Sequence, residues 1–555
     1  MHKKILALIL VLQILLTCWA CSNNSKNPNK GTSSNKETTS SENAESIDSD
    51  PSSDEADDAV SSAPNVKGEI IGTSTVTNDS HSKKEITVIE EEIEIIPSPY
   101  DAYKLNPMKG GSDSEAIVMR DKILKADDSL NITGKIYYVS NKGDNKNDGL
   151  SPETPFKDLT AVTGNMLSEG DAVLLERGSV FRLSGSYQCK SGVTYGAYGE
   201  GNKPAVYGST TNFAKSYYWK PSDIKNVWMI NFPFNGDVGN IVFNHGEHGC
   251  EREDFIRLLE ENGDFYLDSS TNTLYVYTDK GNPGTGYYSI EIGTRMILFN
   301  LPSYNANNIH IDNICFKYSG NFAIRASINA KNITITNCEI GWIGGSLQPD
   351  GLNVYGNGIE IIGGGENISI KDNWIYQIFD SAMTFQGVSK NNGSLFRSII
   401  FANNLMEYCG MAGIEWWTIT GDSEYEDQTI VEDILFEGNI TRFTGYGWTK
   451  NGERGARHIQ GPWGRYRFIN MRNFVIKNNI FDCALGGAYS YPFNDDQAPT
   501  DDQHFMTGNT YYQIATPNNV VNRYGKGETT ATNQAEYEAD IKRMEKNPKL
   551  IKWLS

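Results

Sequence analysis

Histidine and cysteine are scarce in this sequence, seven and eight among 555 residues. Cys18 and Cys21 lie near the N-terminus and the other six are scattered, with no spacing that builds a zinc site. The one close histidine pair, His245-x-x-His248, sits in the glycine-rich stretch Asn-His-Gly-Glu-His-Gly and reads as a surface turn before it reads as a ligand pair. No phosphate-binding glycine loop or nucleophile elbow occurs, so the 53 glycines mark corners. Basic residues are outnumbered 49 to 69, which argues against a nucleic-acid partner. Residues 5–16 are apolar apart from Gln13, a run too short to cross a membrane comfortably.

What the sequence does contain is a repeat. Asn-Ile-His-Ile-Asp-Asn at 308–313 returns as Asn-Ile-Thr-Ile-Thr-Asn at 332–337 and Asn-Ile-Ser-Ile-Lys-Asp-Asn at 367–373. Degenerate copies end at Asn404, Asn439, Asn479 and Asn509, giving spacings of 24, 36, 31, 35, 40 and 30 residues between closing asparagines. Alternation over four or five residues specifies a short strand, and fixed units with variable insertions specify a solenoid. Asn suits the corner because it tolerates left-handed backbone, and its amide can stack from coil to coil. The expected fold is all-β, a right-handed parallel β-helix. Cys315 and Cys338 stand at different offsets from their corner asparagines, so they face opposite ways and read as small core residues.

Lys3 and Lys4 before the apolar run, then Ala20-Cys21, predict an export signal over 1–20 with lipidation at Cys21; Cys18 is the rival acceptor. Residues 22–97 carry 16 acidic and 6 basic side chains, a net of −10, and are almost without aromatics, so they predict a disordered tether. With +2 from the leader, the total of −20 leaves −12 for residues 98–555. Ser112-x-x-Glu115 is a capping box, and Ala116, Met119, Ile123, Ala126 and Leu130 recur at helical spacing. That helix, in a cap over 98–134, is expected to plug the open end of the solenoid at 135–515. A C-terminal extension with a short helix follows over 516–555.

Tyr-Tyr-Val-Ser at 137–140, Asn-Asp-Gly at 147–149 and Pro-Glu-Thr-Pro-Phe at 152–156 resemble the opening coil of the pectate-lyase-like superfamily of bacterial β-helix proteins. Gly-Asp-Phe-Tyr-Leu-Asp at 263–268, with Leu-Tyr-Val-Tyr at 274–277, resembles a hairpin inserted in carbohydrate-active members, here over about 240–290. The resemblance covers about 136–515. It implies the fold and a carbohydrate ligand, and it assigns no catalytic residues.

Candidate chemistry comes from the strands after each corner. Gly-Ile-Glu-Ile-Ile at 358–362, Ala-Met-Thr-Phe-Gln at 382–386, Gly-Ile-Glu-Trp-Trp at 413–417 and Arg-His-Ile-Gln at 457–460 align side by side. With Ile359, Ile361, Met383, Phe385, Ile414 and Trp416 facing inward, Glu360, Thr384, Glu415 and His458 form an outward row. Ile362, Gln386, Trp417 and Gln460 form a second row. Coils about 4.8 Å apart put the backbones of Glu360 and Glu415 roughly 9–10 Å apart. The plain alternative is a merely polar outer face, but an exposed Trp417 beside two carboxylates has no solubility rationale. Asp380, at the bend before its strand, is a further candidate. Lys450, Arg454, Arg457, Arg465 and Arg467 oppose only Glu453, a cationic island suited to sulfate or uronate groups.

The expected function is action on extracellular polysaccharide by a lipid-anchored monomer outside the cytoplasm. Hydrolysis stands first, with Glu360, Glu415, His458 and Asp380 as candidate catalytic residues. Gln386, Trp417, Gln460, Arg454 and Arg457 would bind substrate. The rivals are elimination or C5 epimerisation of a uronate, using His458 or Tyr489 with Arg454 and Arg457, and a non-catalytic glycan-binding surface. No cofactor is expected. Calcium is the ion kept in view, although Asp144, Asn147 and Asp148 belong to a coil-opening turn and lack regular ligand spacing.

Overall fold

Short strands of period two, closed by left-handed corners, wind this chain into a right-handed parallel β-helix, whose described residues form three ten-stranded sheets. The structure is a computed structural model that describes residues 108–555 except 129, 232–235, 247, 250–251, 350, 352, 388–392, 418–427, 450–461, 466–469, 492–498, 518 and 525–526. The predicted leader, Cys21 and the tether therefore lie outside the described residues. The repeats form the first sheet, as Asn307–Asp312, Ala330–Thr336, Gly365–Lys371, Leu395–Ala402, Ile430–Glu437, Met471–Lys477 and His504–Thr507. Each lies parallel to the next, with Ile309, Ile333, Ile368, Ile399, Ile434 and Phe474 in one register row. These side chains fill the interior together with Met383, Phe385 and Trp416 of the third sheet.

The closing asparagines divide into two kinds. Asn313 and Asn337 are left-handed corners, with φ of 60° and 52°. Their register equivalents on later coils are Asp372, Asn403, Gly438, Asn478 and Gly508, all with positive φ. The next position carries a buried ladder: Asn373 Nδ2 donates to Asn404 Oδ1 (3.0 Å), Asn404 to Asn439 (2.9 Å), Asn439 to Asn479 (3.0 Å) and Asn479 to Asn509 (2.9 Å). Glu545 closes it, accepting from Asn509 Nδ2 and from the Tyr511 hydroxyl. On the earlier coil Cys338 occupies the ladder position, and its N–H donates to Asn373 Oδ1. Corner and amide stack are thus adjacent residues doing separate work. A sequence alignment on Asn alone merges them and misplaces two coils by one residue. Cys189, Cys315, Cys338, Cys409 and Cys483 are free and buried.

The hairpin Phe265–Asp268 and Thr273–Tyr277 forms and extends into a four-stranded antiparallel sheet with Val227–Asn231 and Lys220–Pro221. The insertion has its own core around Phe213, Trp219, Leu274 and Ile292, so it begins well before residue 240. At the far end, Tyr537 and Ile541 of the helix Gln534–Met544 bury in the solenoid interior. The strand Leu550–Trp553 then joins the second sheet, that of Trp374–Ile378, Leu405–Glu407, Ile440–Thr444, Ile480–Ala484 and Thr510–Gln513, carrying the coil past residue 515.

The N-terminal helix corrects an expectation. Asp113–Leu124 forms, but it does not plug an end. It lies across the outer face of the second sheet, where Arg120 pairs with Glu407 (2.7 Å) and stacks over Trp374, and Lys122 pairs with Asp372. Asp113 pairs with Arg442, and the Ser112 N–H donates to Asp482 (2.9 Å), so helix contacts span four successive coils. The Ser112 side chain makes no cap hydrogen bond to its own helix. Burial of Ala116 and Ile123 was legible from their spacing, but the partner surface was set by charged residues far along the chain. Arg120→Met strips a nearly fully buried carboxylate of its closest cation. Urea unfolding should show a loss toward the lower end of about 3–5 kcal/mol, because Arg442 remains 3.7 Å from Glu407.

Candidate functional site

The third sheet brings the predicted strands together in the expected register. Ile359–Ile362, Met383–Gln386 and Ile414–Trp417 pair so that Glu360, Thr384 and Glu415 fall in one row and Ile362, Gln386 and Trp417 in the next. The fourth strand differs. It is Pro462–Arg465, and Trp463 pairs with Glu415 while Arg465 pairs with Trp417. The places assigned to His458 and Gln460 are therefore taken by residues five positions later, because the insertion before this coil is longer than alternation could reveal. His458, Gln460, Arg454 and Arg457 lie outside the described residues.

The row extends in the other direction to Arg325 of the strand Phe322–Ala326, paired with Glu360. Ile324 and Ala326 point inward, so Arg325 faces out. Its Nε stands 3.2 Å from Glu360 Oε2, an ion pair with side chains 22% and 5% exposed. Continuing the same parity one coil earlier would have found this arginine in the sequence.

The row is not the open surface that alternation suggested. Glu360 and Glu415 are each only 4% exposed and Thr384 is fully buried. Trp417 is half-buried against Met411 and Ala412. Asp380, also buried, accepts the Gly356 N–H on Oδ2 (3.0 Å), and Ser381 donates its hydroxyl to Glu415 Oε2 (3.1 Å) and its neighbour coil's Asn357 Oδ1 accepts the Ser381 N–H (3.0 Å). Gln386 Nε2 donates to the Thr384 hydroxyl (3.2 Å). Tyr489 is removed from the candidates: it is buried in the interior cluster and donates its hydroxyl to the Asp540 carbonyl.

Burial pushes the Glu360 carboxyl up to about 7, with Arg325 pulling it down and the Asp380 carboxylate pushing it further up. Asp380 thus stands near enough for its charge to act on Glu360, which sequence spacing did not show because a bend residue has no register position. A carboxyl that holds its proton near neutrality beside a second carboxylate is the equipment of general acid–base chemistry.

Two glycines set this geometry. Gly356 has φ of 146°, and a Cβ there would lie 2.2 Å from the Cα of Gly344. At Gly358 a Cβ would lie 2.5 Å from the Ala382 carbonyl oxygen. Gly358→Ala should force apart the coils bearing Glu360 and Asp380. Denaturant unfolding should register about 1–3 kcal/mol of overpacking, with a loss of turnover on any substrate found.

The remaining acidic candidates are turn builders. Asp144 accepts from the Lys146 N–H, and Asp148 accepts from the Leu150 N–H and the Thr154 hydroxyl, which hold its carboxyl below its ordinary value. His245 sits at φ 59° in a turn, its Nδ1 3.3 Å from the Ser289 hydroxyl. Among the described residues no group of three or more His, Cys, Asp or Glu side chains is arranged to hold a metal ion.

No family model and no curated protein matches this chain. Solved structures do resemble it. A glycoside hydrolase is 9% identical with a TM-score of 0.38, covering 76% of this chain and 96% of its own. A GH136 lacto-N-biosidase from Eubacterium ramulus is 14% identical with a TM-score of 0.33, covering 75% of this chain and 68% of its own. A pectate lyase is 11% identical with a TM-score of 0.32, covering 71% and 78%. At such identities and TM-scores the likeness carries no argument, and the chemistry rests on the residues above.

Proposed function

We propose that this protein hydrolyses glycosidic bonds in an extracellular polysaccharide. Glu360 gives its proton to the departing oxygen, and Asp380 activates the attacking water. The observation that carries this reading is the buried Glu360 carboxyl, raised to about 7 and acted on by Asp380. Glu415, first paired with Glu360 on spacing alone, holds the Ser381 hydroxyl beside Asp380 and serves to fix that bend. Half-buried Trp417 and Gln386 suit the faces and hydroxyls of sugar rings. The test is a panel of neutral and acidic glycans assayed for new reducing ends. No release from any glycan, with binding retained, would favour a lectin-like surface instead.

The arginine beside Glu360 favours a second reading, elimination from a uronate, in which a cation neutralises the sugar carboxylate. Ultraviolet absorbance from an unsaturated product would identify it. We also propose that lipid at Cys21 holds the protein at the membrane as a monomer. Loss of membrane association in Cys21→Ala tests that anchor, and retention would place it elsewhere.

A further inference from the structure

We infer that Arg325 is a positioning residue that holds the Glu360 carboxyl in the row and supplies the positive charge that it faces. This rests on the reading of Glu360 as proton donor. Three observations carry it. Arg325 and Glu360 are register neighbours on adjacent coils, so the strands themselves enforce their approach. Among the described residues, Arg325 Nε and Glu360 Oε2 have no hydrogen-bond partner; their 3.2 Å ion pair is the contact each makes through that atom. The arginine also packs its guanidinium over Phe322, 5.7 Å from the ring centre, which limits its swing.

The charged groups that act on Glu360 come from both sides: Arg325 from the preceding coil and Asp380 from the bend of the following one. They pull in opposite directions. Without the arginine, desolvation and the Asp380 carboxylate would act together, and Glu360 would keep its proton well above neutral pH. A carboxyl that holds its proton too tightly is a weak acid at neutral pH and gives that proton up slowly to the departing oxygen. Arg325 therefore sets the window in which Glu360 can work.

The consequence is measurable without a substrate. The folded carboxyl titrates near 7 and the unfolded one near its ordinary 4.5. Glu360 therefore supports folding fully below that ordinary value, and its support fades as pH rises through about 7. The stability difference between wild type and Glu360→Gln, followed by urea unfolding across pH, reports that window directly. In an Arg325→Met background the window should move upward by about one pH unit or more. Arg325→Lys, which keeps the charge, should restore most of the position. Where Arg325→Met fails to fold, Arg325→Gln carries the same comparison. An unchanged window in the neutral variants overturns the inference. The catalytic reading is separated by the pH profile of kcat/KM on an active glycan. If the stability window moves and the kinetic limb does not, Arg325 positions Glu360 but Glu360 is not the proton donor.

Discussion

Glu360→Gln is expected to keep the fold and to lose turnover at least about a hundredfold, the scale of a removed general acid. The amide fits the same space in the row, and Arg325, which loses its charge partner, is 22% exposed and keeps access to water. Asp380→Asn should lose a similar factor, because an amide cannot take a proton from water. In the wild-type enzyme the rate should fall as pH rises through about 7, where Glu360 gives up its proton. In Asp380→Asn that limb should move down, since burial still raises the Glu360 carboxyl but the Asp380 charge that adds to it is gone. Steady-state kinetics over pH on the glycan found by the panel checks all three. Near-native rates in both variants would mean that this row binds or packs and does not react.

Asn439→Ala should be the most damaging single substitution in the solenoid outside its apolar core. Asn439 is fully buried at the middle of the amide ladder. Its Nδ2 donates to the Phe401 carbonyl (2.9 Å) and to Asn479, and its Oδ1 accepts the Asn404 N–H (2.9 Å) and amide. Truncation leaves the Asn404 N–H and one of the Asn404 amide hydrogens without an acceptor, away from water. Each costs about 1–3 kcal/mol, so urea unfolding should lose roughly 2–6 kcal/mol. The comparison is Asn332→Gly on the exposed amide row, where Asn332 donates to Asn307 and Asn308 and accepts from Asn367. Glycine accepts the positive φ of 54° there without strain. Water replaces the lost bonds, so that change should stay within about 0.5 kcal/mol. Equal losses at both positions would show that the ladder's burial is not what gives it weight.

Much of this architecture was legible because it is periodic. Alternation at Ile309, Ile333 and Ile368 is a local property, and stacking copies of it leaves little freedom beyond a solenoid. The register of Glu360, Thr384 and Glu415 followed from the same parity, with three strands sharing an inward Ile, Met or Ile at the same place. The reading failed where period was lost. Between Trp417 and Pro462 nothing in the spacing fixes where the strand resumes, so the neighbour of Glu415 was misassigned to His458 when it is Trp463. Arg325 was missed because its coil lacks the motif that drew attention to the later ones.

The sequence by itself determined the repeating strand, the left-handed corners, the interior and the face on which two glutamates lie, because each depends on residues within one coil or on strict stacking of coils. Only the tertiary structure decided that this face is buried, that Asp380 and Arg325 act on Glu360 from opposite sides, and that the N-terminal helix lies along the flank. Those are meetings of residues tens to hundreds of positions apart. Their partners are chosen by charge and desolvation in the folded chain, and no local pattern encodes them.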